Sequence, residues 1–169
     1  MPIPEGTHNI GPGNGSLRIR TGREGAVAKA GHDLLLGVNS WEATVQGGDS
    51  PSISLTADPA SIDVIEGKGG AKALSDKDRA DIKKSIVGKV LGSSQISFQS
   101  SEVSDSSARG DLSIAGSSSS VNVPITINGA KISGSLTLSQ SAYGIKQFKA
   151  LMGALKVSDQ VTVEFEGQL

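Results

Sequence analysis

The chain has 169 residues, a formal net charge of −1 and no cysteine. This length favours one domain with a sizeable core, and the lack of cysteine excludes disulfides, thiolate metal sites and cysteine nucleophiles. The near-neutral charge argues against a nucleic-acid partner, and an aromatic content of 3% argues against base-stacking surfaces.

The first residues of the chain show neither the pattern of a secretory signal nor that of a membrane span. No basic segment is followed by an apolar run, and no stretch approaches the ~18 apolar residues of a transmembrane helix. We therefore expect a cytoplasmic protein, although a secreted protein whose signal has been removed would look the same. Glycine and proline are frequent in residues 1–15, which predicts a flexible N-terminal arm before a single domain at 16–169.

From residue 16 onward the dominant pattern is an alternation of apolar and polar side chains. The apolar positions are Leu17 and Ile19, Ile53 and Leu55, Ile96 and Phe98, Leu112 and Ile114, Val121 to Ile127, Leu136 and Leu138, and Val161 to Phe165. Such alternation is typical of antiparallel strands with one face in water. About eight strands can be counted, and closure of eight strands into a barrel leaves an interior that is either filled by side chains or holds one small ligand. The pattern predicts an all-β antiparallel barrel and does not decide between those two interiors.

One segment has helical periodicity instead. Ser75 resembles an N-cap followed by acidic residues, and Ile82, Ile86, Val87, Val90 and Leu91 recur at helical spacing. We expect this helix, from about Ser75 to Leu91, to cover one opening of the barrel, with Ile82, Ile86, Val87 and Val90 facing the interior. A shorter helical turn is predicted from Lys146 to Met152.

Candidate catalytic residues are few. His32 and Asp33 are the one adjacent imidazole and carboxylate, but neighbouring residues of a strand point to opposite faces. A turn in which Asp33 accepts backbone hydrogen bonds is the favoured interpretation. No Gly-x-Ser-x-Gly motif is present, and the glycine-rich stretches lack Walker or dinucleotide-binding spacing. We expect no catalytic residue, no metal and no cofactor.

The region around the helix is basic. Between Glu66 and Val90, Lys and Arg outnumber Asp and Glu by three. Such a patch could bind a phosphate head group or touch an anionic membrane surface, and a solvated helix face is the simpler interpretation.

Six segments, in order, resemble the YceI-like, lipocalin-like family of polyisoprenoid-binding proteins. They are Ala60–Asp63, Ile96–Val103, Gly110–Gly116, Val121–Pro124, Ser141–Ile145 and Leu151–Val157, so the resemblance extends roughly from Ser16 to the C-terminus. Two family features are absent: an Arg-Asp-x-His stretch before the helix, replaced here by Ala73–Asp78, and a His-Ser pair near the first strand. The resemblance implies a lipocalin-like barrel with an elongated apolar interior that encloses an isoprenoid chain, and no catalytic activity.

The resulting hypothesis is binding, transport or storage of a polyisoprenoid or similar long-chain lipid. The expected apolar lining is Leu17, Ile19, Leu55, Ile82, Ile86, Phe98, Leu112, Ile114, Val123, Ile125, Leu136, Leu138, Phe148, Met152, Val163 and Phe165. The expected head-group contacts are Arg79, Lys83, Lys84 and His32. We expect a monomer or homodimer with transient membrane contact. The alternatives are a filled barrel acting as a stress-related or partner-interaction module and, less favoured, a hydrolase or isomerase using His32 and Asp33.

Overall fold

The alternating segments form one antiparallel sheet of twelve strands. The computed structural model describes residues 2–24, 32–69, 73–150 and 155–169. The strands are β1 (Gly6–Ile10), β2 (Gly15–Glu24), β3 (Asp33–Val38), β4 (Trp41–Gly47), β5 (Ser52–Ala57), β6 (Ile62–Lys68), β7 (Ile96–Val103), β8 (Ser107–Ile114), β9 (Ser117–Asn128), β10 (Lys131–Ser139), β11 (Lys149–Ala150) and β12 (Leu155–Gln168). The predicted all-β antiparallel class is confirmed.

The sheet curls until its hydrogen-bonded ladder meets itself. β7, β8, β9, β10 and β12 pair in succession, and β12 then pairs with β2 and β2 with β3. β3 continues into β4 through Asn39 and Ser40 alone, and β4 pairs with β5, which pairs with β7. The ring is therefore closed through the long β3–β4 segment, as in a barrel.

The strand number differs from the eight that were expected because three long strands are each divided into two. The divided strands are β1 with β2, β3 with β4, and β5 with β6. β1 and β2 both run antiparallel to the β3–β4 segment, and β5 and β6 follow it on its other side. At the kink, Asn39 N donates to Ser61 O (3.1 Å) and Asp58 N donates to Ser40 O (3.0 Å). These bonds keep the hairpin joined across the interruption. β11 is a two-residue strand that pairs only with β12.

The expectation of a flexible arm over residues 1–15 is corrected by β1. This strand pairs with β4 from Gly6↔Gly47 to Ile10↔Ala43, and Ile10 is only 2% exposed. Glycine and proline dominate the composition of this stretch. The apolar signal is limited to Ile3 and Ile10, both buried, so pairing with a distant strand decides its structure.

The predicted helix is confirmed at its N-terminus. Helix α1 spans Asp76–Ser85, and Ser75 Oγ accepts a hydrogen bond from Asp78 N (3.1 Å). Asp78 Oδ2 accepts one from Ser75 N (3.0 Å), which completes a capping box and lowers the pKa of this carboxyl. A wider, π-type segment, Ile86–Leu91, continues the helix to Gly92.

The second helical turn was misplaced. A 3₁₀ turn lies earlier, at Gln140–Tyr143, where Gly144 closes it with a φ of 72°. Val157 N donates to Phe148 O (3.0 Å), so the chain before β11 already runs along β12 and does not form a helix. Met152 and Gly153 lie outside the described residues.

One end of the barrel is closed by side chains. Ile10 fits against Gly15 and Gly167, which pair with each other in the β2–β12 ladder. Next to it Trp41 is 6% exposed and meets the ring of Phe165 edge-on at 5.8 Å between centroids. The two glycines are needed because side chains there would occupy the space of Ile10.

Gly15→Ala is expected to destabilise the protein by about 1–3 kcal/mol through overpacking. A Cβ at this position would lie 2.5 Å from Glu166 O and 2.8 Å from Ile10 Cγ2, and the backbone oxygen cannot move aside cheaply. Gly13→Ala is the matched control, because a Cβ there meets nothing within 4 Å. Urea unfolding followed by the fluorescence of Trp41 measures both; equal midpoints would contradict this account of the closed end.

Candidate ligand-binding cavity

The barrel encloses a cavity of about 450 Å³. All strands except β1 and β11 contribute to its wall, and α1 with its π-type continuation covers one side. The wall is almost wholly aliphatic because the inward position of each strand carries Val, Ile, Leu or Ala. This volume lies within the range of pockets that hold small organic molecules.

The structure brings the expected lining residues together. Every one of them that lies in the described residues borders the cavity: Leu17, Ile19, Leu55, Ile82, Ile86, Phe98, Leu112, Ile114, Val123, Ile125, Leu136, Leu138, Phe148, Val163 and Phe165. Met152 lies outside the described part of the chain. The contact of these side chains with a ligand stays a prediction.

β3 and β4 supply a part of the wall that was not predicted from the sequence. Leu34, Leu36, Val38 and Ala43 border the cavity. The apolar run Leu34–Leu36 was the only sequence pattern that pointed to this part of the wall. Such a short run does not distinguish a strand from a loop when its partners are unknown.

The helix faces the cavity with Ile82, Ile86, Val90 and Leu91, whereas Val87, which was also expected to face inward, does not border it. None of the residues of α1 or its continuation is fully buried. The helix thus covers the cavity without a closed core of its own.

The cationic residues expected at the head group lie outside the border of the cavity. Arg79 Nη1 donates to the carbonyl oxygens of Val64 (3.0 Å) and Ile65 (3.2 Å), and Lys83 Nζ pairs with Asp63 Oδ1 at 2.8 Å. Both side chains thus contact β6, whose outer edge pairs with no other described strand. Neither borders the cavity, and the same holds for Lys84 and His32.

The polar groups that do border the cavity are uncharged, with one exception. Thr21, Ser85, Ser135 and Gln140 are the neutral polar residues of this border, and Asp81 is the acidic one. Asp81 Oδ2 lies 3.9 Å from Lys77 Nζ, a pair that is largely exposed and therefore weak. The cavity is thus bordered by hydrogen-bonding groups and one negative charge.

His32 and Asp33 form no reactive pair at the cavity. Asp33 begins β3 rather than a turn, pairs in register with Lys68, and its carboxylate lies 3.4 Å from Arg23 Nε. Neither His32 nor Asp33 borders the cavity. Across the described ranges, no cluster of three or more His, Cys, Asp or Glu side chains is placed to hold a metal ion.

The 3₁₀ turn brings Tyr143 into the wall. Tyr143 is 3% exposed and packs with Ile145 in a cluster that includes Leu138 and Val161. Burial raises the pKa of its hydroxyl, and the hydroxyl of Ser119 on β9 offsets part of that effect. The turn contacts β9, β10 and β12. Tyr143 thus links β9 to β10, which are hydrogen-bonded to each other over only part of their length.

Comparison with known proteins gives a consistent family and fold. A family model described as a YceI-like domain matches residues 23–169. The crystal structure of Burkholderia cenocepacia BcnA is similar with a TM-score of 0.63 and 20% identity, covering 90% of this chain and 94% of that one. A mutant CJ YceI protein, solved for nanotechnology applications, is similar with a TM-score of 0.53 and 12% identity, covering 79% and 82% of the two chains. These two likenesses concern the fold. A search of curated proteins found no significant match.

Among the described residues, no helix is both long enough and apolar enough to cross a membrane.

Tyr143 is expected to ionise above the usual tyrosine pKa of about 10. It is the only tyrosine of the chain, so ultraviolet absorbance reports its titration alone. Because the folded-state pKa is raised, the contribution of the neutral hydroxyl is complete below pH 10 and is lost as the pH rises through the folded-state pKa. Tyr143→Phe should lack this loss. An identical alkaline fall in stability for parent and variant would show that Tyr143 is not held neutral by burial.

Proposed function

Because the chain belongs to the YceI-like family, we propose that it is a non-catalytic carrier that holds a polyisoprenoid or similar long-chain lipid inside its barrel. The observation that carries this proposal is the cavity itself, whose aliphatic wall is built by nearly every strand. Such a wall selects ligands by apolar contact, and its described residues include no pair placed to break a bond. Transport or storage then depends only on uptake and release.

The energetics favour a chain-like ligand. Each methylene moved from water into the cavity contributes up to ~0.8 kcal/mol, from which the cost of association and ordering is subtracted. Strand β10 has nine residues, which at ~3.3 Å per residue makes the wall about 30 Å long before tilt. An extended tail therefore gains more contact with this wall than a compact molecule of equal polarity.

The cavity border favours a neutral head group over a phosphate. Of the basic residues that were expected there, Arg79 and Lys83 are held by groups of β6 and none borders the cavity, whereas Asp81 does. A hydroxyl or carbonyl can exchange hydrogen bonds with Thr21, Ser85 or Gln140, whereas a phosphate would be repelled by the carboxylate. We infer a prenyl alcohol, phenol or quinone as the ligand class.

A filled barrel acting as a stress-related or partner-interaction module is the weaker alternative. Small side chains at Ala43, Ala57 and Ala108 leave the interior unfilled, and a barrel used only for its outer surface has no need of such a space.

Native mass spectrometry of gently purified protein tests the function. The expected result is a bound mass that organic extraction releases as neutral prenyl compounds, in a series separated by one isoprene unit. A protein that carries no such mass and takes up no added prenyl alcohol would refute the carrier proposal. Recovery of prenyl phosphates alone would refute the inference about the head group.

Ala43→Phe should shorten the usable cavity. Ala43 is buried and borders the cavity near the closed end, so a phenyl ring there displaces the end of a long tail. Displacing two methylenes corresponds to roughly a tenfold loss of affinity for long prenyl alcohols, with little change for short ones. Gln46→Phe, at an exposed position of the same strand, is the control. Titration with prenyl alcohols of increasing length, followed by Trp41 fluorescence, measures both variants; equal losses at all lengths would place Ala43 outside the binding space.

A further inference from the structure

The barrel wall is incomplete between β9 and β10. β9 pairs with β8 over Ser117–Pro124, but its ladder with β10 contains only the four pairs from Ile125↔Gly134 to Asn128↔Lys131. Beyond Gly134, β10 pairs with β12 alone. Both strands are fully described, and no backbone hydrogen bond joins 117–123 of β9 to 136–139 of β10. The two strands thus diverge and leave a slit in the wall.

Pro124 explains where the ladder ends. Ile125 N donates to Ser106 O (3.0 Å), on the β8 side of the strand. Successive amides of a strand point to opposite sides, so the amide of residue 124 would face β10. Proline has no N–H to donate, and the ladder to β10 stops at this residue.

The two halves of the slit differ in how they are filled. Toward the 3₁₀ turn, Tyr143 and Ile145 pack with Val121 of β9 and with Leu136 and Leu138 of β10. At Pro124 the slit ends beside a depression on the outer surface, whose border over the neighbouring paired strands is mostly polar and includes Arg18 and Glu164. Gly134, Ser135 and Phe165 border both this depression and the inner cavity.

The wall is thinnest at Gly134. This residue lies at an inward position but has no side chain, and a Cβ there would lie 3.3–3.4 Å from Pro124 O, Ile125 Cγ2 and Val123 Cγ1. Its register partner is Phe165, a half-buried ring that reaches both spaces. An apolar molecule in the outer depression would already touch the lining of the cavity.

We propose that this slit is the lateral entrance of the barrel, through which the apolar tail passes sideways between β9 and β10. The proposal rests on the carrier function proposed above. Widening the slit breaks no ladder hydrogen bond, whereas separating any fully paired strands of the barrel would leave buried backbone groups unpaired. Ile10 and Trp41 close one end of the barrel, and α1 with its continuation covers one side of the cavity.

A removable staple across the slit tests this proposal. Asn122 and Thr137 are exposed, and they would lie opposite each other if the register of Ile125↔Gly134 continued. The chain has no cysteine, so Asn122→Cys with Thr137→Cys places the sole two thiols there for a short, reducible bifunctional reagent. The probe is all-trans-retinol, a fluorescent isoprenoid alcohol. We expect uptake and release to slow by about tenfold or more with the dissociation constant unchanged, and reduction to restore both rates.

The matched control staples a continuous part of the ladder. Thr137→Cys with Thr162→Cys joins β10 to β12, where the two native hydroxyl oxygens lie 3.0 Å apart. This staple should leave both rates unchanged. The proposal is overturned if the first staple has no effect on the rates or if the two staples slow them equally. Failure of the unstapled protein to take up retinol, together with no prenyl compound in native mass spectra, would instead refute the carrier function.

Discussion

The fold depends on the requirement that each strand of a closed barrel find hydrogen-bond partners on both of its edges. Where the ladder is continuous, backbone pairing alone meets this requirement. Where the ladder is interrupted, side chains of a helix or a turn contact the unpaired strand. Arg79 donates a hydrogen bond to the edge of β6, and Tyr143 packs in the part of the β9–β10 slit that lies toward the 3₁₀ turn. The sites of interest are therefore found where the ladder is interrupted, because only there does the backbone leave room for anything else.

The same requirement explains why the barrel has an interior space. A closed ring of this size holds its walls apart, and side chains must fill the gap if a ligand does not. Ala43, Ala57 and Ala108 are too small to do so, and Gly134 contributes no side chain at all. Trp41 and Phe165 pack together at the closed end, and Phe98 and Phe148 line other parts of the cavity.

Much of this arrangement could be predicted from the sequence because alternation is a local property. Inward and outward positions follow from parity, so the lining of β2, β5, β8, β10 and β12 was identifiable before the strand order was known. β1 was missed because its pairing with β4 is long-range and its own composition suggests a loop. The twelve-strand count also escaped prediction, since kinks at 39–40 and 58–61 depend on hydrogen bonds between distant segments.

The positions of charges were the least predictable feature. Arg79 and Lys83 lie in a basic stretch, which suggested an anion site beside the cavity. Their actual partners, two backbone carbonyls and Asp63, belong to β6 and precede Arg79 and Lys83 by fourteen to twenty residues. Neither Asp63 nor the edge of β6 has a distinctive local sequence pattern. The sequence near Arg79 and Lys83 therefore did not indicate that they would bind these groups. Helical periodicity, by contrast, correctly placed Ile82 and Ile86 toward the cavity.

The partial burial of the helix affects how a bound ligand would change the stability of the protein. Ile82, Ile86 and Leu91 pack only partly against the barrel, so α1 lacks the full apolar contact that usually holds a helix on its domain. A prenyl chain in the cavity would supply the missing surface and act as a removable piece of the hydrophobic core. Binding and folding then draw on the same free energy, and the loaded carrier is the more stable form by mass action. Under the proposed carrier function, depletion of the lipid would therefore loosen the protein and couple its lifetime to the lipid supply.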